Sequence, residues 1–177
     1  LPLFTERDAT APDYGGKDNR AGITVELWVQ TEHLMPGAPV VDWCDDSGGG
    51  VIVRAGKTEG LDILFGDGQT RGYWNLDPGL LPVTGTHHVT FIFDGGPKIL
   101  SVEVDGIVQD GGDSRQFGWC RFSPELRGLA GSETATIAAG QRTAVERVRI
   151  YDRALLHSEC IGNYRAGTSA GTTRVND

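Results

Sequence analysis

Apolar and polar residues alternate along Ile23-Thr-Val-Glu-Leu-Trp-Val-Gln30, so that Ile23, Val25, Leu27 and Val29 share one face and Thr24, Glu26, Trp28 and Gln30 the other. A period of two predicts a strand with one buried face. Shorter runs of the same kind lie at Ala38 to Trp43, Val51 to Ala55, Leu61 to Phe65, Gly72 to Leu76, His88 to Asp94, Ile99 to Asp105, Thr134 to Ala138 and Val145 to Tyr151. Between them stand turn formers that take positive φ cheaply: Ser47-Gly-Gly-Gly50, Asp67-Gly68, Asp94-Gly-Gly-Pro97, Asp105-Gly106 and Asp110-Gly-Gly112. Asp105-Gly106, with Leu100, Val102 and Val104 before it and Ile107 and Val108 after it, is the clearest hairpin. Many short strands without alternating helices predict an all-β fold, an antiparallel sandwich or barrel. One helix is expected, Leu155 to Tyr164, with Ser158 as its cap and Gly162 limiting its length. Residues 1–20 show no sustained period and read as an arm that wraps a surface; residues 168–177 read as a tail.

Length allows one domain across all 177 residues. The chain has 26 Gly and 8 Pro, yet 38% of it is apolar and the glycines follow no fixed period, which excludes a collagen-like chain and argues against disorder. With 16 Lys and Arg against 24 Asp and Glu the net charge is −8, a field that repels phosphate backbones, so no nucleic-acid partner is expected. No stretch approaches the roughly 18 to 20 consecutive apolar residues of a membrane span. The chain begins at Leu1 and its single methionine is Met35, from which it is expected to be a processed or excised piece of something larger. Cys44, Cys120 and Cys160 are too scattered for a structural zinc site. They leave two alternatives: three partly buried thiols, or a Cys44–Cys120 disulfide with Cys160 free.

Three segments carry a resemblance: Ile23-Thr-Val-Glu-Leu-Trp-Val29; Thr86-His-His-Val-Thr-Phe-Ile-Phe-Asp94 continuing to Val104-Asp-Gly106; and Val145-Glu-Arg-Val-Arg-Ile-Tyr-Asp-Arg-Ala-Leu155. In order and spacing, over Ile23 to Gly167, they are similar to the opening strand, central His-His hairpin and closing strand of laminin-G-like, concanavalin-A-type jelly rolls. Two positions depart from the pattern: Thr86 stands where such domains carry Trp, and Val145-Glu-Arg-Val148 places an acid at Glu146 and a cation at Arg147. The resemblance implies a two-sheet antiparallel β-sandwich, a glycan-binding concave face or rim and, in many members, a structural calcium ion. That ion would sit where the amino-terminal arm meets the last long strand, on Asp18 and Glu146, with Asp8 and Asp13 in reserve. The fold alone does not decide function, since lectins, carbohydrate-binding modules, adhesion domains and glycan-cleaving enzymes share it.

Catalysis is not expected. Retaining glycosidases need two carboxylates about 5 to 5.5 Å apart, supplied by E-x-D-x-x-E on one strand; the nearest string, Glu103-Val-Asp105-Gly-Ile-Val108, has Val in the acid position and a turn in its middle. The Gln-His and Tyr-bearing strings of lyases with this fold are absent, as are G-x-S-x-G, Walker and H-E-x-x-H strings. His87 and His88 point to opposite faces of a strand and cannot hold one ion together, so they read as structural.

A sugar site needs a flat aromatic ring to stack on and polar groups to orient the hydroxyls. Two segments combine these: Arg71, Tyr73, Trp74, Asn75 and Asp77 in one, Arg115, Gln116, Trp119 and Arg121 on a long loop in the other. They are expected to meet in one open recess, and their arginines suit carboxylates or sulfates. Trp43 is a second-rank ligand residue, and Trp28 a structural one. The expected function is a non-catalytic carbohydrate-binding module for a polysaccharide or oligosaccharide, including acidic or sulfated ones. It would be attached to other domains of a larger secreted or cell-surface parent protein. The alternatives are a protein-interaction or adhesion domain and a divergent polysaccharide lyase or hydrolase.

Overall fold

The computed structural model describes residues 21–56, 60–76, 79–109, 119–129, 131–138 and 144–167. Asp77, Arg115, Gln116, Asp18, Asp8 and Asp13 lie outside these ranges. Eleven strands run β1 (Ala21–Gln30), β2 (Pro39–Asp42), β3 (Gly49–Ala55), β4 (Leu61–Asp67), β5 (Arg71–Asn75), β6 (Thr86–Asp94), β7 (Ile99–Val104), β8 (Ile107–Val108), β9 (Trp119–Arg121), β10 (Thr136–Ile137) and β11 (Val145–Arg153), followed by helix α1 (His157–Ala166). They form an all-β sandwich of two antiparallel sheets. One has the order β11-β1-β6-β7-β8, with β9 also paired to β7; the other has the order β10-β2-β3-β4-β5.

The alternation read from the chain sets which faces meet. Ile23, Val25, Leu27 and Val29 of β1, Val89, Phe91 and Phe93 of β6 and Leu100, Val102 and Val104 of β7 form the inner face of the six-stranded sheet. Val51 and Val53 of β3, Leu61, Ile63 and Phe65 of β4 and Trp74 of β5 form that of the other. Phe65 packs edge-on against Phe93 at 4.9 Å and Phe122 at 5.9 Å between ring centroids. Each buried side chain of this size contributes roughly 1.5–3 kcal/mol over exposure.

The helix differs from its expected ends. Leu156 occupies the N-cap position and Gly162 lies within the helix, which ends at Gly167, where φ is +68°. Glu159 does the capping that Ser158 was expected to do. Its carboxylate accepts the Leu156 N–H at 2.9 Å and two Arg153 N–H groups at 2.6 and 2.8 Å. Strand β9 also departs from expectation, since Trp119 to Arg121 had read as loop. Its pairing with Ile99 to Ser101 of β7 ties that segment to the six-stranded sheet.

Candidate functional site

β5 is an edge strand, so period two gives its neighbours opposite fates. Trp74, opposite Ile63, turns inward and is 2% exposed; Tyr73, opposite Leu64, turns outward and is 54% exposed. Trp74 therefore presents no ring face to a ligand, which corrects its expected stacking role. Register carries the outward set across the sheet. Tyr73, Leu64, Ile52 and Asp42 form one row over β5, β4, β3 and β2. Asn75, Asp62 and Arg54 form the row on one side, and Arg71, Gly66 and Gly50 the row on the other. Adjacent rows stand about 7 Å apart along the strands.

This face has an aromatic and aliphatic middle flanked by polar groups. Arg54 and Asp62 oppose each other in register, yet neither side chain makes a hydrogen bond or ion pair among the described residues, and the same is true of the Arg71 side chain. Arg71 is exposed and runs across the sheet: a Cβ built on Gly48 would stand 2.7 Å from its Nη2, and one on Gly66 3.2 Å from its Cγ. Cys44 borders the same area. Burial, then the carboxylates of Asp42 and Asp45, push its thiol up to about 11 against the opposing fields of Arg54 and Arg71.

The second expected segment lies elsewhere. β9 belongs to the six-stranded sheet and β5 to the other, so the described residues of the two segments do not line one sheet face. Arg121 is exposed on β9. Trp43 is half-buried against the core, and its indole N–H donates to the Ser132 carbonyl at 2.6 Å, a structural engagement. Sequence reasoning missed Ile52, Arg54, Asp62 and Leu64. Their signal is present, a polar or half-exposed residue between buried neighbours in β3 and β4, but alternation does not say which strands lie side by side.

All three cysteines are free thiols. The Cys44–Cys120 bridge is therefore not formed; Cys44 follows β2 of one sheet and Cys120 lies on β9 of the other.

The carboxylates and histidines that suggest catalysis serve the scaffold. Glu103 is fully buried and bonded to His157 Nδ1. Asp105 accepts from the His88 backbone N–H at 2.9 Å and pairs with His87 Nδ1 at 2.7 Å. His87 and His88 do face opposite ways, His88 Nε2 meeting Glu26 Oε1 at 2.8 Å. Burial opposes the charge of Glu26. Hydrogen bonds from His88 and Tyr151, with the fields of His88 and Arg149, outweigh it and hold the carboxyl below its usual range. Trp28 is packed between His88, 4.3 Å away, and the Arg149 guanidinium, 5.0 Å from its ring centroid.

For calcium, the described residues alone do not fit. Glu146 Oε1 accepts from Gln30 Nε2 and Thr86 Oγ1, both at 2.8 Å. Among the described residues there is no group of three or more His, Cys, Asp or Glu that could hold a metal ion. The two departures from the family pattern, Thr86 and Glu146, are thus partners of each other.

An apolar groove of about 150 Å³ opens at one end of the sandwich, lined by Leu34, Pro36, Ala55, Leu81, Pro82 and Val83 among others. No helix among the described residues is long and apolar enough to cross a membrane.

No curated protein sequence matches the chain. Solved structures do. A CBM40 domain of the Ruminococcus gnavus IT-sialidase superposes with a TM-score of 0.60 at 11% identity, over 79% of this chain and 80% of that one. The same domain is known bound to α2,3 sialyllactose. A carbohydrate-binding protein described as putative, from Bacteroides ovatus, gives 0.57 at 13% identity over 80% of this chain and 40% of that one. The binding domain of botulinum neurotoxin DC, in complex with rat synaptotagmin II, gives 0.59 at 12% identity over 81% and 35%. At such identities the likeness is one of fold. A family model matches residues 5–160. With that match the chain belongs to the laminin G family of the concanavalin A-like lectin/glucanases superfamily.

Proposed function

We propose that the protein is a non-catalytic carbohydrate-binding module whose site is the outer face of the five-stranded sheet. The observation that carries this reading is the row Tyr73, Leu64 and Ile52, an exposed ring continued by aliphatic side chains, beside Arg54 and Asp62, whose side chains make no hydrogen bond or ion pair among the described residues. A pyranose offers an apolar ring face and a rim of hydroxyls. Tyr73 and Leu64 meet the first, and Asp62 as acceptor and Arg54 as donor meet the second. The carbohydrate-binding names among the structural neighbours point the same way. The engagement of Glu103 and Asp105 in scaffold bonds supports a non-catalytic role. A parent protein that is secreted or displayed on a cell surface, and acts on glycans through other domains, completes the proposal. Its test is retention on a panel of neutral, uronate-bearing and sulfated polysaccharides. The expected result is binding to at least one, weakened about tenfold, or ~1.4 kcal/mol, by Tyr73→Ala. Retention of none, or full retention by Tyr73→Ala, contradicts it.

A structural calcium ion on Asp18 and Glu146 stays part of the proposal through residues 1–20. Calcium should raise the melting temperature relative to a chelator, and identical melting curves would remove the ion from the account.

A second reading, a protein-interaction domain, is favoured by the groove at the sandwich end, beside which Met35 is 49% and Val83 60% exposed. Met35→Asp and Val83→Asp would abolish partner capture on that reading and leave glycan retention unchanged on the first.

A further inference from the structure

Arg71 is the one outward cation of β5, and its placement is specific. The side chain leaves the sheet edge, crosses β4 over Gly66 and ends against Gly48 in the β2–β3 turn. Gly48 sits at φ +81°. Neither glycine raises a side chain against Arg71, which is exposed. Asp42 and Asp45, whose fields act on Cys44 against that of Arg71, form no ion pair with it among the described residues. Asp45 Oδ1 accepts the Ser47 N–H and hydroxyl and the Gly49 N–H, and Asp42 Oδ1 accepts the Cys44 N–H. In a chain of net charge −8, Arg71 still makes no ion pair among the described residues. Asp62, whose carboxylate makes no hydrogen bond or ion pair among the described residues, pairs in register with Asn75, four residues along β5 from Arg71 and so about 13 Å away. The face therefore has Arg71 at one side and the Asp62 and Arg54 row at the other, with Tyr73 and Leu64 between them.

We propose that Arg71 is an anion subsite of this face, so that the glycans bound carry a carboxylate or sulfate group that lies against the Arg71 guanidinium while the adjoining ring covers Tyr73 and Leu64. The inference rests on the glycan-binding reading and adds the ligand's charge to it. Guanidinium recognises both anions through paired N–H donors, which makes their chemistry shared at this position.

The experiment measures dissociation constants by calorimetry for uronate oligosaccharides, each beside its carboxyl-reduced counterpart, and for sulfated oligosaccharides, each beside its desulfated counterpart. Wild type, Arg71→Gln and Arg71→Lys are compared, with folding of each checked by thermal melting. The expected result is at least one charged ligand bound tenfold or more tightly than its neutral counterpart. Arg71→Gln should bring that ratio to near one by weakening the charged ligand, and Arg71→Lys should restore part of it. Which pair shows the ratio tells carboxylate from sulfate. A ratio near one in wild type, or one that survives Arg71→Gln, overturns the subsite while leaving the module reading standing. No binding to either member of any pair overturns both. Equal binding of a DNA oligonucleotide would show bare charge attraction and overturn the subsite as well.

Discussion

Tyr73 and Trp74 are adjacent, chemically alike and opposite in consequence. From the residues alone both suit sugar stacking; the strand allows only one to face water. Trp74→Ala should cost about 3–5 kcal/mol of stability, read from the denaturant midpoint, as a large core ring leaves a cavity. Tyr73→Ala should move stability by under about 1 kcal/mol and act on binding instead. His87 gives a second test at this scale. Burial works against its charged form, but Asp105, the Thr84 carbonyl 2.8 Å from Nε2, and the fields of Asp105 and Glu32 more than offset that and raise its pKa. Two acceptors, one at each ring nitrogen, suit the imidazolium. Because the folded pKa is raised, the stability His87 contributes is fully present below the ordinary histidine value and is lost as pH rises through the folded one. Urea midpoints across that interval should fall more steeply in wild type than in His87→Asn. Equal slopes would contradict the assignment.

At the scale of elements, the outward side of the six-stranded sheet is the surprise. Thr24, Glu26 and Trp28 lie on the face of β1 opposite the core, yet Glu26 is fully buried and Trp28 4% exposed. α1 and β11 explain it. Tyr151 donates to Glu26 Oε2 at 2.8 Å, Asn163 donates to the Tyr151 hydroxyl at 3.1 Å, and Tyr164 stacks on His88 at 5.8 Å. Glu26 joins β1, β6 and β11 through one carboxylate. Its folded pKa is depressed, so its contribution is present above the ordinary glutamate value and lost as pH falls through the folded one. Glu26→Gln should flatten the acid limb of the stability profile and lower neutral-pH stability by about 3–5 kcal/mol, because His88 and Arg149 lose a buried partner. An unchanged acid limb would refute this role. Strands were legible because alternation is local: each of the nine runs seen in the sequence overlaps a strand of the structure. β9 was not, because three residues, Trp119, Cys120 and Arg121, are too few to show a period. Helix position was legible and its cap was not, since the Glu159 carboxylate that reaches back to Leu156 is also held by Arg153 of β11, a contact made in the fold.

For the whole molecule, what the sequence could not disclose is which strands become neighbours. The site row takes one residue from each of β2, β3, β4 and β5, from Asp42 to Tyr73, and its coherence depends on sheet order. Order likewise puts β2, which Cys44 follows, and β9, which carries Cys120, in different sheets. Thiol titration of the unfolded, unreduced protein should find three free thiols, and one would restore the bridge. The central claim is the location of the glycan site. It is tested most directly by backbone amide NMR during titration with the tightest-binding oligosaccharide from the retention panel. Shifts concentrated at Ile52, Arg54, Asp62, Leu64, Arg71 and Tyr73 are expected. Shifts confined to the groove around Leu34 and Leu81, or to β9, with those six residues still, would contradict it.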